Sequence, residues 1–535
     1  MKNSNFKNKL STKWFVFILL SFIGLSLYIN SLANPFFWDD NEFFANNSFV
    51  QNFEIKKFFT ENATAGGGII DNYWRPLLLI SFALDYKIWG LLPFGFHLTN
   101  IFLHIASAFF LFLILQKLFK NYYISLGSSL IFLIHPLQTE AVTYTNSRGD
   151  SLYTFWFLLS IILYLKFRSN SKFKFYLLAI FSFLLSLLSK ELAVVLPAII
   201  LLIETTFLGA EESFLRKTLN SFKKTYLFWL LGAIYVASRL TFLNFKESVN
   251  LLSGENTLFA TNILVRLMTF FKIVLNYFGL IFAPFNLHME RLIDPVTTVL
   301  DVRFISGFLL VLFWLAISYQ LKAKSLVFGF FWFFINLAPT SNIVPINGML
   351  YEHWLYLAQI GIWIPLLSLL SQLHNKIIIR NILIITGSIY LIFLSYLTIL
   401  RNKDWSDPIS FYKKTLSYGP SLKIYNNLGM ELANKGKLEE AVENYKKALE
   451  IDSSIFILNY NLGNTLRDLG KNEEAKEQYK LSIEKNPKFV SAYSNLLNIL
   501  NQEKKYNEMR EILTKLSSIY PEDKAVKEII NSLPK

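Results

Sequence analysis

Three carboxylates lie close together directly after the first apolar stretch of the chain, in the segment from Phe36 to Phe44: Asp39, Asp40 and Glu42. A positioned carboxylate can remove a proton from an acceptor hydroxyl, or orient that hydroxyl, in a group-transfer reaction. The aromatic neighbours would partly bury such a carboxylate and raise its pKa, although they could equally form an ordinary belt at the membrane interface. The structural alternative is a solvated cap at a helix exit.

Four cations form a second candidate group. Arg75, Arg148, Lys190 and Arg239 fall in or near apolar segments, where Arg can grip a lipid-linked phosphate with two hydrogen bonds and Lys can act as a point charge. The structural alternative pairs Arg148 with Asp150 or Glu140, and Lys190 with Glu191. Arg239 is harder to dismiss, because an arginine inside an apolar helix is rare unless it is paired or lines a cavity.

Histidines and glycines give weaker signals. His97, His104 and His135 could join the acids in binding a metal ion, but without a tight ligand pair such as HExxH they are more typical of helix packing. Whether a divalent metal takes part stays open. The run Gly66-Gly67-Gly68 is interpreted as a flexible outer loop; no P-loop lysine follows it, which disfavours nucleotide hydrolysis and an ATP-driven transporter.

The composition places most of the chain in a bilayer. Of its 535 residues 53% are hydrophobic and 17% aromatic, and the mean hydropathy is +0.38. The net charge of +14 comes from short Lys/Arg clusters between apolar segments, which argues against nucleic-acid binding. Because the chain has no cysteine, disulfides and thiolate sites are excluded. The first apolar segment is too long for a cleavable signal and is interpreted as a retained helix.

Spans of about 20 apolar residues predict about 11 membrane helices. They lie near Trp14 to Leu32, Phe94 to Leu115, Tyr122 to Val142, Leu152 to Phe167, Phe173 to Leu188, Leu192 to Leu208, Tyr226 to Leu243, Phe304 to Tyr319, Leu326 to Leu337, Trp354 to Leu370 and Ile382 to Leu400. Ile263 to Phe282 is interpreted as re-entrant or interfacial, since counting it as a span would place Lys376 and Arg380 outside. Trp74 to Trp89 is expected to lie on the outer surface as an amphipathic helix.

The Lys/Arg bias predicts a cytoplasmic N-terminus and an outer C-terminus. The polar loops then share the outer side: the acidic segment, His135 to Asp150, Ser189 to Glu191, and Pro339 to Trp354. Convergence of these loops on one face is the first indication of a functional site.

After Leu400 the sequence becomes charged and repeats with a period of 34 residues. Leu428-Gly429 recurs as Leu462-Gly463, and Tyr445 recurs as Tyr479. This length and pattern predict tetratricopeptide repeats, which stack into a superhelix with a groove for peptides. Asn427, Asn461 and Asn495 share one register and could bind an extended acceptor peptide. The alternative is that each asparagine contacts the neighbouring hairpin.

Six motifs in this order, with the repeats behind them, resemble the transmembrane and tetratricopeptide-repeat O-mannosyltransferases and their bacterial relatives, which are GT-C membrane glycosyltransferases. The motifs are Trp74-Arg75-Pro76, His97-Leu98-x-Asn100-x-x-x-His104, His135-Pro136-x-x-x-Glu140-Ala141-Val142, Arg148-x-Asp150, Ser189-Lys190-Glu191 and Glu352-x-x-Leu355-Tyr356. One departure is His353, where relatives commonly carry arginine.

The resemblance implies transfer of one sugar from a polyprenyl-phosphate carrier to an acceptor on the outer or lumenal face. It places the base at Asp39 or Asp40, and contacts to the carrier phosphate at Arg148 and Lys190. The mechanism it implies needs an oriented acceptor, proton removal and fixed positive charge for the departing phosphate.

The sequence therefore predicts an all-α protein: a polytopic membrane helix bundle of GT-C type at 1–400, a linker or degenerate leading repeat at 401–421, and a tetratricopeptide-repeat α-solenoid at 422–535. The expected function is transfer of a mannose-like sugar, with inversion, from its lipid-linked donor to Ser/Thr hydroxyls of proteins. Two alternatives stay open: a non-catalytic membrane scaffold that recruits partners through its repeats, and a GT-C transferase acting on a glycan or lipid. The expected location is the bacterial inner membrane with periplasmic repeats, the alternative being the endoplasmic reticulum membrane with lumenal repeats.

Overall fold

The computed structural model describes residues 2–68, 71–209, 213–244, 257–344, 346, 348–373, 377–522 and 524–534. The described residues form helices and loops without a strand, which confirms the all-α class. The chain divides into two compact units, 1–406 and 407–535. The division falls six residues beyond the predicted end of the membrane domain at 400. Lys376, used in the prediction of topology, lies outside the described residues.

The first unit is a bundle of long apolar helices with short helices in its loops. Its α-helices are Lys2–Tyr28, Ser48–Gln51, Ile55–Thr60, Pro76–Trp89, Pro93–Phe119, Tyr122–Ile134, Thr139–Thr143, Arg148–Asn170, Phe173–Ser189, Leu196–Ile203, Phe214–Leu240, Thr257–Thr261, Ile263–Phe282, Val302–Leu321, Lys324–Leu337, Leu355–Ala358, Ile360–Gln372 and Ile377–Asp404. Single turns of 3-10 helix include Pro136–Gln138, Glu191–Val195 and Glu352–Trp354.

Seven helices of the described residues are long and apolar enough to cross a membrane, or eight if the bent pair Glu352–Ala358 and Ile360–Gln372 forms one span. The count of seven is below the predicted figure of about 11 because five predicted spans miss the criterion: four fall in helices that are too short or too charged, and one lies in the bent pair. The helix from Tyr122, for example, ends at Ile134, because Pro136 cannot continue it. Ile263–Phe282, interpreted as re-entrant or interfacial, does meet the criterion.

The loop that carries the acids has a core of its own, separate from that of the membrane bundle. Phe44 packs against Phe82 and Phe96, with ring centroids 4.6 and 4.9 Å apart, and Phe43 is also buried. The belt interpretation is therefore wrong for Phe43 and Phe44. Helix Pro76–Trp89 contributes Phe82 to this core, so it packs into the unit and leaves only one face exposed.

The second unit contains the predicted helical hairpins. They are Leu422–Asn434 with Leu438–Ile451, Phe456–Asp468 with Asn472–Lys485, and Val490–Gln502 with Tyr506–Ile519, preceded by Pro408–Leu416 and followed by Lys524–Ser532. The helices of a hairpin approach closely at glycine: a Cβ added to Gly429 would lie 2.8 Å from the ring of Tyr445, and one added to Gly463 would lie 2.8 Å from Tyr479. This close packing explains why the glycines and tyrosines recur with the period of the repeat.

Candidate active site

The structure gives the two adjacent aspartates different surroundings. Trp38 adopts a left-handed backbone conformation with φ of 61°, and a π-helical turn, Asn41–Ala45, follows the two acids. Asp40 is buried, with 1% of its surface exposed. Its two carboxylate oxygens accept hydrogen bonds from the backbone N–H groups of Phe37, at 3.0 Å, and Asn146, at 2.9 Å. Asp40 therefore joins the acidic segment to the loop before helix Arg148–Asn170.

Burial raises the pKa of Asp40 well above its usual range, although the two backbone hydrogen bonds oppose the shift. The negative charges of Asp39 and Glu42 raise this pKa further. A carboxylate with a raised pKa suits a general base, but both oxygens of Asp40 are already engaged and hidden from solvent. In this arrangement Asp40 is bound to the backbone through both oxygens and is 1% exposed.

Asp39 is only half-buried and faces a different set of groups. Its backbone N–H donates to the hydroxyl of Tyr144 at 3.1 Å. Burial raises the pKa of Asp71 to about 6 and raises the pKa of Tyr351 above its usual range, and the charge of Asp39 contributes to both shifts. The charge of Asp39 thus acts on titratable groups in two other loops.

The third acid, Glu42, is held by its backbone. Its carbonyl oxygen accepts a hydrogen bond from Asn47 Nδ2 at 2.9 Å, and a Cβ added to Gly67 would lie 2.8 Å from the same oxygen. A Cβ added to Gly66 would come closer still to the side-chain oxygen of Asn47. The interpretation of Gly66 and Gly67 as a flexible run is therefore wrong, since they pack against the acidic segment.

Of the four predicted phosphate-binding cations, Arg148 is entirely internal. It forms an ion pair of 2.6 Å with Asp85 and is 0% exposed. It also donates to Asn100 Oδ1 at 2.7 Å and to the carbonyl oxygen of Phe96 at 2.9 Å. The predicted alternative partners, Asp150 and Glu140, are wrong. A ligand could reach this guanidinium only by displacing several of its contacts.

Lys190 and Arg75 lie in two neighbouring ion pairs. Lys190 Nζ contacts both oxygens of Asp150 at 2.8 Å, and both side chains are buried. Arg75 forms two hydrogen bonds to Glu191, of 3.0 and 2.6 Å. Glu191 is 40% exposed in its side chain, so the Arg75 pair is open to solvent on one side. The predicted alternative of a Lys190–Glu191 pair is wrong.

Arg239 lies at the end of helix Phe214–Leu240 and binds backbone oxygens. It donates to the carbonyl oxygens of Leu243 and Asn72, so it fastens the segment before Arg75 to that helix.

A second polar cluster includes residues that sequence reasoning did not select. Glu352, which is 1% exposed, accepts from Arg291 at 2.9 Å and lies 3.8 Å from Arg401. Glu140 contacts the ring of His353 at 2.7 Å. The signal for this cluster was Arg401 at the end of the last apolar helix, because a charge in such a place calls for a partner.

The three histidines pack between helices. His97 contacts the carbonyl oxygen of Asn34, His104 contacts the hydroxyl of Tyr356 and the carbonyl oxygen of Leu133, and His135 contacts the carbonyl oxygen of Ile281. Within the described ranges no three His, Asp or Glu side chains are grouped so as to hold a metal ion.

The predicted asparagine ladder makes contacts inside the array. Asn461 donates to Asn426 Oδ1 at 2.9 Å, and Asn495 donates to Asn464 Oδ1 at 2.7 Å. These are contacts between successive hairpins, as the alternative interpretation expected. Asn427 accepts a hydrogen bond from Asn426 within its own helix.

Comparison with known proteins gives a consistent set of relatives. The family models described as "TPR repeat" and "Tetratricopeptide repeat" match residues 429–466 and 458–489. The chain is 27% identical over 454 residues to protein O-mannosyl-transferase F38B6.6 of Caenorhabditis elegans, which covers 82% of this chain and 63% of the relative. It is 24% identical to human protein O-mannosyl-transferase TMTC2, over 83% of this chain and 63% of the relative.

This chain resembles the protein O-mannosyl-transferases. The resemblance extends over both units, since the matches cover more than four fifths of the chain. The chain spans 63% of the length of these two relatives. Among solved structures, the oligosaccharyltransferase of Archaeoglobus fulgidus gives a TM-score of 0.41 at 11% identity, over 80% of this chain and 58% of that one.

Proposed function

We propose that the chain is a membrane glycosyltransferase of GT-C type that moves a single mannose-like sugar from a polyprenyl-phosphate carrier to Ser or Thr hydroxyls of proteins. The relatives are named protein O-mannosyl-transferases, and this chain combines apolar helices long enough to cross a membrane with tetratricopeptide repeats. The observation that carries the proposal is the different setting of the two aspartates: Asp40 is buried with both carboxylate oxygens hydrogen-bonded, whereas Asp39 is only half-buried.

In the proposed reaction Asp39 takes the proton of the acceptor hydroxyl. The hydroxyl oxygen forms a bond to the anomeric carbon of the sugar, the bond between that carbon and the phosphate oxygen breaks, and the carrier phosphate leaves with the electron pair. A single displacement of this kind inverts the anomeric configuration. Asp40 does not touch the acceptor; it fixes the backbone from which Asp39 projects. Glu42 remains a proposed part of the same acidic group.

The four predicted phosphate-binding cations also fall into one direct contact and three residues that act through others. Arg75 is the proposed direct contact, because its partner Glu191 is partly exposed and a guanidinium can hold a phosphate with two hydrogen bonds. Arg148 and Lys190 are proposed to act indirectly, since each is buried against a carboxylate. Arg239 is proposed to hold the segment that precedes Arg75.

The repeats are proposed to bind the protein acceptor. Asn427, Asn461 and Asn495 would take part only after exchanging their contacts within the array for contacts with a peptide. We propose the outer face of the bacterial inner membrane as the location. The relatives come from animals, which makes the lumenal face of the endoplasmic reticulum the alternative.

The test is transfer of labelled mannose from polyprenyl-phosphate mannose to envelope proteins, in membranes that contain the chain or a variant. Asp39→Asn should lower transfer by about 100-fold or more, the scale of a lost general base. Asp40→Asn should reduce the amount of folded protein. The matched control is Glu61→Gln, which removes an exposed charge of the same loop and should transfer normally.

Arg75→Lys in the same assay should raise the KM for the donor by about tenfold, because lysine cannot form the paired hydrogen bonds of arginine. Full transfer by Asp39→Asn would overturn its role as the base. No transfer of mannose or of other sugars by the well-folded unmodified chain would favour the scaffold alternative. Label found in lipid or glycan but not in protein would favour the other transferase alternative.

A further inference from the structure

The end of the last membrane helix, Ile377–Asp404, is fastened to the loop that precedes the acidic segment by a buried asparagine. Asn402 donates to the carbonyl oxygen of Leu27 at 2.9 Å and to Asn30 Oδ1 at 3.1 Å. Its side-chain oxygen accepts from the hydroxyl of Thr143 at 2.7 Å, and its backbone oxygen accepts from Asn34 Nδ2 at 3.2 Å. Four contacts on one fully buried residue thus join the first helix, the loop before the acids and the segment before Tyr144.

Trp405 continues this attachment three residues further on. Its side chain is 1% exposed and stacks on Tyr144, with ring centroids 5.3 Å apart and planes at 16°. The ring of Phe37 packs on both, at 5.8 Å from Trp405 and 6.3 Å from Tyr144. Three aromatic rings therefore form a compact group in contact with the acidic segment, to which Phe37 belongs. Trp405 is nearly the last residue before the repeat unit begins at 407.

The hydroxyl of Tyr144 connects this aromatic group to Asp39. It accepts the backbone N–H of Asp39 at 3.1 Å, so the position of the Asp39 backbone depends on where the Tyr144 ring lies. Trp405 sets that ring by stacking, since offset and stacked aromatic pairs have preferred geometries. A base that must meet a hydroxyl loses efficiency when its backbone shifts by even about 1 Å.

We propose that Tyr144 and Trp405 are positioning residues for Asp39, so that the C-terminal end of the membrane unit determines the geometry of the base. This inference rests on the proposed role of Asp39. Neither ring touches the acceptor or the donor; both act through the Asp39 backbone. Trp405, which positions Tyr144 in this proposal, lies two residues before the repeat unit begins at 407.

Two measurements on the full chain test the proposal. The first is hydrogen–deuterium exchange of the peptide that covers residues 36–44, in Tyr144→Phe and Trp405→Phe. Tyr144→Phe keeps the ring and removes only the hydroxyl, so exchange at this peptide should rise by about tenfold at the amide that loses its acceptor. The matched control is Tyr28→Phe, since Tyr28 is fully buried and its hydroxyl makes no hydrogen bond with the residues that the structure describes.

The second measurement is a double-mutant cycle in the transfer assay. Tyr144→Phe should lower kcat by about tenfold with less than about a twofold change in the KM for the donor. In the Asp39→Asn background the same substitution should change transfer by less than about twofold, because a residue that acts only through Asp39 has nothing left to position. Trp405→Phe should show the same pattern with a smaller loss.

Unchanged exchange in Tyr144→Phe, or full additivity with Asp39→Asn, would overturn the proposal. Equal effects of Tyr28→Phe would also overturn it, since the losses would then reflect general packing. Absence of sugar transfer by the unmodified chain would refute the proposed function. The exchange measurement would still decide, in that case, whether the two rings hold the acidic segment.

Discussion

Arg148 and Asp85 in the membrane unit lie 2.6 Å apart with the arginine wholly buried, whereas Lys447 and Glu443 in the repeats lie 2.7 Å apart with side chains 44% and 65% exposed. The two distances are nearly equal, yet the pairs differ in what their loss would cost. A buried charge left without its partner keeps its full desolvation cost. An exposed charge left without its partner is solvated by water. Burial, and not distance, distinguishes these two ion pairs.

The largest effect is expected from breaking the buried pair. Asp85→Ala leaves Arg148 charged inside the protein, which should cost about 3–5 kcal/mol of folding free energy and remove most of the folded chain. The measurement is the yield of monodisperse protein in detergent together with its Tm. The double variant Arg148→Met/Asp85→Leu should recover part of the yield, since it removes both charges. Normal folding of Asp85→Ala alone would show that water or another group reaches Arg148.

A packing change in the repeats should have an intermediate effect. Gly463→Ala brings a methyl group within 2.8 Å of the Tyr479 ring, and such overpacking costs about 1–3 kcal/mol. Resistance of the repeats to proteolysis on heating measures the change. Gly387→Ala in the last membrane helix is the matched control, because a Cβ there meets no atom within 4 Å. If both variants behave alike, packing in the repeats is looser than the structure implies.

Smaller effects are expected from pH, and they should be opposite in sign at Asp71 of the first unit and Asp452 of the repeats. Burial raises the pKa of Asp71 from its ordinary value near 3.8 to about 6. The folded state then binds this proton more tightly than the unfolded state, so this contribution to stability falls as pH rises from about 4 to about 6. Asp71→Asn should flatten that part of the curve of Tm against pH. An unchanged curve would show that Asp71 titrates normally.

In the repeats the hydroxyl and backbone N–H of Ser454 lower the pKa of Asp452. Its contribution is present above the ordinary aspartate range and is lost as pH falls through the lowered value. Asp452→Asn should therefore reduce the stability of the repeats at neutral pH but not at strongly acidic pH, as followed by far-UV circular dichroism. Equal destabilisation at neutral and at strongly acidic pH would show that the substitution disturbs the helix geometry and not the charge of Asp452.

The smallest effect is expected at the exposed pair. Glu443→Ala removes one partner of Lys447 on a solvent-facing helix surface and should leave Tm unchanged within the error of the measurement. A clear loss of stability would contradict the comparison, because an exposed ion pair would then contribute as much folding free energy as a buried one.

Sequence patterns predicted best those features that arise between near neighbours in the chain. The period of 34 residues fixed the register of Gly463 against the hairpin that carries Tyr479, since each repeat packs mainly within itself and on its neighbours. The acidic segment and the cations were also recognisable. A charge beside an apolar span costs free energy and is therefore rare, so such residues stand out in the sequence.

Partners across the membrane unit were not predictable in the same way. The sequence offered Asp150 for Arg148 and Glu191 for Lys190 because those acids are adjacent, yet the structure pairs Arg148 with Asp85 and Lys190 with Asp150. Helices far apart in the chain bring these groups together. Their pairing therefore cannot be predicted from any periodic pattern within one segment. The difference between Asp39 and Asp40 was equally hidden, because it depends on backbone donors at Phe37 and Asn146.

The position of Trp405 also gives the protein a built-in optical reporter. All 11 tryptophans lie at or before residue 405, so indole emission comes from the membrane unit while the repeats contribute only tyrosine. Trp405 is the one nearest to the repeats in sequence, and its ring rests on Tyr144 beside the acids. With the other indoles replaced, its fluorescence could register in real time whether peptide binding to the repeats changes the surroundings of the aromatic group formed by Trp405, Tyr144 and Phe37.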